Sequence, residues 1–409
     1  MDADGAVLGS FERIGILGAG TMGAGIAQVV AEAGIQAILH DPLPGSYERA
    51  HERIAGFLRR KVEKGTLDEA GAADVLARFA GAASLEEVAG VDLLVEAIPE
   101  DLELKRELFG RLDALAPPTT ILASNTSSLP IARIAAATGH PERVVGMHFF
   151  NPVPLMALVE VVAGPRTAPA VADATIFAAR RLGKTPVLAA DTPGFIVNRV
   201  ARPFYLEAMR ILGDGAASVE QVDAATRAVG FRMGPFELVD TIGADVNLAV
   251  SQSLHEAFFF DPRYRPHPVQ RMLVDAGRLG RKSGGGFYDY AADGTRGAPW
   301  STLAQRPAGP APDRLTEEQI AARILATVVN EAASAVGEGV AAPGAIDTAM
   351  RLGANYPSGP LEWGERIGLV RVVRTLEGLH AAVPDGRYRV APLLRSLAER
   401  NASFFAAQG

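Results

Sequence analysis

The apolar positions of the chain come first as short uninterrupted runs and later as helical stripes. RIGILGAG (13–20) is a strand running into glycines, and TMGAGIAQVVAEAG (21–34) is an apolar-faced helix ending at a glycine stop. QAILHD (36–41) is a second strand, and a polar, helical-looking stretch runs from Ser46 to Phe79. VDLLVEAI (91–98), TTILAS (119–124) and RVVGMHFF (143–150) are further buried strands, separated by the helical segments LELKRELFGRLDAL and LPIARIAAAT. A last strand is expected near Thr185–Ala190, and from Gly194 the pattern turns helical. Strands alternating with helices predict an α/β, Rossmann-type doubly wound parallel sheet, followed by all-α domains.

The helical half repeats itself. EAMRILGDGAASVEQVDAATR, starting at Glu207, matches EAASAVGEGVAAPGAIDTAMR, starting at Glu331, and Asp223 meets Asp347 at the same offset of 124. After one inserted residue, GPFELVDTIG (234–243) matches GPLEWGERIG (359–368). Between the copies, AADGTRGAPWSTLAQRPAGPAPDR carries Pro299, Pro307, Pro310 and Pro312 and reads as a linker. The expected division is a nucleotide-binding domain at 1–190, a first helical domain at 191–290, a Pro/Gly-rich linker at 291–314 and a second, degenerate helical copy at 315–409.

Composition narrows the function classes. The net charge of -7 over 409 residues offers no global attraction to nucleic acid or anionic membrane. With no cysteine, disulfides, thiolate metal sites and cysteine nucleophiles are excluded. The acidic start MDADGAVLGSFER is not a signal peptide, and no run approaches the ~18 apolar residues of a membrane helix, so a soluble, cytoplasmic protein is expected. His40, His51, His140, His255, His267 and His380 show no metal-ligand spacing, and no metal is expected. Asn401-Ala-Ser403 fits a glycosylation sequon by chance.

Two places depart from the apolar pattern in a way that chemistry explains. Gly18, Gly20 and Gly23 form G-x-G-x-x-G, with Thr21 and Met22 between the last two, at a strand-to-helix turn. Asp41 follows 18 residues after Gly23, at the end of the second strand. This is the arrangement that seats a pyrophosphate on a helix N-terminus and a ribose on a carboxylate, and Asp41 favours NAD over NADP. The second place is ERVVGMHFFNPVPLMALVEVV (142–162), where His148 and Glu160 stand among strand residues. A histidine is suited to take the hydroxyl proton of an alcohol while hydride leaves, and a carboxylate beside it fixes the tautomer. The polar run SNTSS (124–128) ends the preceding strand.

Together GAGTMGAGIA, VEAIPEDLELKRELF, ASNTSSLPI, GMHFFNPVPLMALVE and DTPGFIVNR resemble the NAD-dependent 3-hydroxyacyl-CoA dehydrogenases, over residues 13 to about 290 and again, more weakly, over 315 to about 400. The resemblance implies His148 as catalytic base with Glu160 as its partner, and Ser127 and Asn198 as hydrogen-bonding the reacting oxygens of the substrate. It also implies Glu100, Lys105, Asn125 and Asn151 along the nicotinamide half of NAD, and reversible oxidation of an L-3-hydroxyacyl-CoA, as in fatty acid β-oxidation. Helical domains of this family dimerise; here the fused second copy is placed to replace a partner's. Arg59, Arg60 and Lys61, with Lys64, are candidates for the phosphates of CoA or simply a solvated helix face. GRLGRKSGGGFYDY (277–290) reads as a turn closing the helical unit. A sugar-acid or polyol dehydrogenase on the same scaffold, and a non-catalytic NAD-binding protein, are the rival readings. At the offset of 124, Asn198 meets Ala322, so the second copy is expected to form no second active site.

Overall fold

A computed structural model describes residues 11–304 and 314–406. The N-terminal acidic stretch up to Ser10 and Pro307, Pro310 and Pro312 of the linker lie outside the described residues. The chain divides into two compact units, one ending at Phe195 and the other starting at Ile196.

The first unit is built on an eight-stranded sheet of order β3-β2-β1-β4-β5-β6-β7-β8. Its strands are β1 Arg13–Leu17, β2 Gln36–His40, β3 Phe79–Gly81, β4 Leu93–Glu96, β5 Ile121–Ser124, β6 Val144–Phe149, β7 Leu158–Ala163 and β8 Thr185–Ala190. Strands β1 to β6 are parallel, and their near-continuous apolar sequences fit a sheet covered on both faces. The last two strands depart from the expected all-parallel sheet. β7 runs antiparallel to β6, and β8 is parallel to β7. The physical reason lies in Asn151-Pro152-Val153-Pro154, which turns the chain straight back without the helical crossover a parallel neighbour needs. The polar stretch from Ser46 to Phe79 resolves into two helices, Ser46–Glu63 and Glu69–Ala77, and β3, an edge strand too short to leave a periodic signal.

In the second unit the longest helix, Glu317–Gly337, belongs to the second copy. Among the described residues it alone is long and apolar enough by length and composition to cross a membrane, which corrects the expectation that no run comes near; 78% of that window is buried inside the protein. Its counterpart in the first copy is broken into Val197–Val200 and Arg202–Gly213. Pro203 explains the break, because it has no N–H to give the preceding turn, while Thr327 stands at the matching position of the unbroken helix. The stretch read as a linker is structured in its first part: Arg296–Pro299 pairs antiparallel with Tyr288–Tyr290, and Ser301–Ala304 is helical.

Both copies use one device at their Gly-Pro turns. Asp223 accepts from the backbone N–H groups of Phe236 (3.0 Å) and Glu237 (3.2 Å), and Asp347 from those of Leu361 (2.9 Å) and Glu362 (3.0 Å). A Cβ on Gly234 would lie 2.2 Å from the Asp223 carboxylate, and one on Gly359 would lie 2.1 Å from that of Asp347. Carboxylate and glycine therefore persist together. Burial pushes the Asp223 carboxyl up to about 7 and the Asp347 carboxyl up to about 6.

The polar contacts between the copies are reciprocal. Arg199 Nε donates to Glu331 Oε1 at 2.7 Å, and Arg323 Nε donates to Glu207 Oε1. Tyr264 gives its hydroxyl proton to Glu331 (2.5 Å), as Tyr388 does to Glu207 (2.8 Å). Arg265 pairs with Asp385 at 3.6 Å and Arg389 with Asp261 at 3.2 Å. Each pair maps onto the other at the offset of 124, the pattern of two like surfaces meeting across a two-fold axis.

Candidate active site

The carboxyl ends of β1, β4, β5 and β6 lie side by side in the first unit. Ligands bind at such ends in open α/β sheets. After β1, Gly18 adopts φ +101°, and a Cβ on Gly23 would sit 1.8 Å from the Gly18 carbonyl oxygen, so the turn tolerates only glycine at Gly23. Gly20 is different. A Cβ there would meet nothing within 4 Å, and the helix Thr21–Glu32 that it precedes has no side-chain cap. Packing does not require this glycine, yet it leaves bare backbone and uncapped N–H groups facing open space, which fits a dinucleotide pyrophosphate. Asp41 accepts from the N–H groups of Ala19 (2.8 Å) and Leu43 (2.9 Å), which fix its carboxylate beside the glycine turn.

His148 and Glu160 face each other directly across the antiparallel β6–β7 pair. His148 Nδ1 lies 2.7 Å from Glu160 Oε2. Met147 and Phe149 point into the main core, so the alternation of the strand sends His148 to the opposite face. There its ring packs against Phe150 at 4.4 Å and Phe195 at 6.0 Å between centroids. Glu160 is fully buried and His148 is 7% exposed. A carboxylate oxygen opposite Nδ1 favours the ring tautomer with its proton there, in which Nε2 is the accepting nitrogen.

The SNTSS loop is held from below by acids. Glu100 Oε1 accepts from the Thr126 hydroxyl (2.6 Å), the Ser127 N–H (3.1 Å) and the Ser128 hydroxyl (2.9 Å). Burial works against the Glu100 charge, but the Thr126 hydrogen bond and Lys105 outweigh it and hold the carboxyl below its usual range. Asn125 Oδ1 accepts from the Phe149 N–H at 2.8 Å and so ties the end of β5 to the end of β6. Lys105 is placed beneath the site rather than along its surface: it is 1% exposed, and its ammonium lies 2.5 Å from Glu96 and 3.3 Å from Glu100. Glu96 also accepts from the Ser124 hydroxyl at 2.6 Å, and burial pushes its carboxyl up. Sequence reading missed Glu96, although an acid inside VDLLVEAI breaks the apolar pattern in the way His148 does.

The basic helix splits by role. Arg59 and Arg60 are exposed. Lys61 is spent on Glu32, 2.8 Å away, and staples Ser46–Glu63 to Thr21–Glu32, which argues against a CoA contact there. Asn151 is exposed just after β6. Asn198 lies in the second unit, on Val197–Val200. Among the described residues no group of three or more His, Asp or Glu is placed to hold a metal.

The family described as 3-hydroxyacyl-CoA dehydrogenase, NAD binding domain, matches residues 13–192. The corresponding C-terminal domain family matches twice, at 194–290 and 320–403. A 3-hydroxyadipyl-CoA dehydrogenase of Escherichia coli is 40% identical, the match covering 95% of this chain and 97% of that protein. A 3-hydroxybutyryl-CoA dehydrogenase of Bradyrhizobium diazoefficiens is 43% identical over 68% of this chain and 95% of its own length. The crystal structure of a 3-hydroxybutyryl-CoA dehydrogenase from E. coli superposes with a TM-score of 0.87 at 38% identity, covering 96% of this chain and 99% of that one.

Proposed function

From the premise that the chain belongs to the 3-hydroxyacyl-CoA dehydrogenase family, we propose that His148 is the base for reversible oxidation of an L-3-hydroxyacyl-CoA to the 3-ketoacyl-CoA. NAD, bound over the glycine turn with its adenine ribose on Asp41, supplies the hydride acceptor. The lone pair on His148 Nε2 takes the hydroxyl proton. Glu160, 2.7 Å from Nδ1 and buried with it, holds the tautomer and stabilises the imidazolium that forms. Ser127 and Asn198 hydrogen-bond the reacting oxygens. Glu100, Asn125 and Asn151 line the nicotinamide half, with Lys105 setting Glu100 from behind. Arg59 and Arg60 are free to meet CoA phosphates. The second helical copy stands where a partner subunit's copy would otherwise pack, a reading supported by the reciprocal arginine–glutamate pairs.

The single observation that carries this is the buried cross-strand His148–Glu160 pair. The test is NADH formation from 3-hydroxybutyryl-CoA by His148→Gln, with NAD affinity measured separately. Turnover is expected to fall by roughly 10²–10⁴, the usual range for a general base, with NAD binding retained. Near-normal turnover would make the histidine a packing residue and overturn the mechanism.

A further inference from the structure

Arg202 is a buried cation that lacks a counter-ion. It is 4% exposed, and its hydrogen bonds are long and go only to neutral oxygens: the Asn198 carbonyl at 3.5 Å, the Asn247 carbonyl at 3.4 Å and the Ser251 hydroxyl at 3.3 Å. Among the described residues no carboxylate is ion-paired with it. A guanidinium stays protonated in proteins, and burying it unpaired is costly. Around it lie groups that themselves look for a partner. The Tyr356 hydroxyl is buried with no hydrogen-bond partner, and the Arg202 charge acts on it and on Tyr205, whose ring lies 5.0 Å below the guanidinium. Gln270 braces the cluster through Asn247 (2.7 Å) and Ser251 (3.0 Å).

The second copy shows what this fold does without such chemistry. At the offset of 124, Arg202 becomes Ala326 and Gln270 becomes Leu394. Past the inserted residue, Asn247 becomes Val372 and Ser251 becomes Leu376. All four replacements are buried. The helical unit thus packs with an apolar core at these positions, so the polar set in the first copy is not a requirement of packing. It is lost together with Asn198, while the arginines, glutamates and tyrosines that join the copies are kept.

We propose that Arg202, steadied by Asn247, Ser251 and Gln270 and helped by the Tyr356 hydroxyl, binds a carboxylate at the far end of the acyl chain, so that the preferred substrate is the CoA thioester of a 3-hydroxy dicarboxylic acid. The inference rests on the proposed place of Asn198 at the reacting oxygen. Arg202 lies four residues on, across the helix break, with its Nε 3.5 Å from the Asn198 carbonyl oxygen. Three carbon–carbon bonds of about 1.52 Å span roughly 4 Å when extended, which takes C3 of a six-carbon acyl chain to its terminal carboxylate. Arg202 sets specificity and takes no part in proton or hydride transfer.

Two measurements test this. The first compares kcat/KM for 3-hydroxyadipyl-CoA and for 3-hydroxyhexanoyl-CoA, its equal in length without the carboxylate, in the wild type and in Arg202→Leu. The ratio favouring the dicarboxyl substrate is expected to drop by roughly 10² or more, as when one partner of a buried charge pair is removed, whereas Asn198→Ala lowers both substrates together. An equal loss on both in Arg202→Leu would make the arginine structural and overturn the proposal, leaving the dehydrogenase reading intact. The second needs no variant: calorimetry should show the wild-type enzyme binding adipyl-CoA at least ~10-fold tighter than hexanoyl-CoA, and equal affinity would overturn it. If the wild type turns over no 3-hydroxyacyl-CoA at all, both readings fall together.

Discussion

The two helical copies share a scaffold and differ in chemistry. What they keep is structural: the aspartate–glycine pair at each Gly-Pro turn, and the reciprocal arginine, glutamate and tyrosine contacts. What the second copy has shed is Asn198 and Arg202, with the latter's supporting amides and hydroxyl. Its longest helix is unbroken where the first copy's is interrupted before Pro203. A duplicated domain that packs with alanine, valine and leucine at these positions shows that packing does not require the polar residues of the first copy.

Three experiments sharpen or break this division. The largest effect is expected on stability. Glu207→Ala leaves Arg210 with no paired acid among the described residues and Arg323 with Asp214 alone, and Glu331→Ala leaves Arg199 with Glu338 and Arg263 with Asp261. Each should cost about 3–5 kcal/mol in denaturant unfolding, as for a broken buried ion pair. The Arg199–Glu331 and Arg323–Glu207 pairs are reciprocal, whereas Arg210 keeps no acid, so Glu207→Ala should cost at least as much as Glu331→Ala; a much larger loss in Glu331→Ala would break the symmetry argument. Next comes turnover. Losing a donor to a developing oxyanion costs about 2.7–4 kcal/mol, so Asn198→Ala should slow kcat by roughly 10²–10³ with little change in melting temperature. The matching Ala322→Asn should leave kcat and the count of one acyl-CoA per chain unchanged. Two equivalent acyl-CoA sites would contradict the assignment of all chemistry to the first copy.

The smallest effect is a pH dependence. Burial raises the Asp223 carboxyl from 3.8 to about 7, so folding favours its protonated form. Its contribution is fully present below pH ~3.8 and is lost as pH rises to about 7. Melting temperature measured across that window should therefore fall in the wild type relative to Asp223→Asn. For Asp347 the window closes earlier, near pH 6, so Asp347→Asn should differ from the wild type over a narrower range. Parallel melting curves for wild type and Asp223→Asn at all pH values would show that this carboxyl is charged in the fold throughout.

The glycine turn, Asp41, the His148–Glu160 pair, the repeat and the positions of most strands were legible in the sequence. Each announces itself locally: a glycine where only glycine fits, an ionisable residue inside an apolar run, a segment matching another at a fixed offset. Local patterns do not carry direction or partners. That β7 and β8 run against the rest, that Lys105 lies under the site holding Glu96 and Glu100, and that Lys61 pairs with Glu32 all depend on which segments the fold brings together. The same holds for Arg202. In sequence it is one arginine among many, and arginines are ordinarily solvated or paired. Only the folded chain shows that this one is buried with no acid paired to it among the described residues, because the cost of an unpaired charge arises from its surroundings and not from its type.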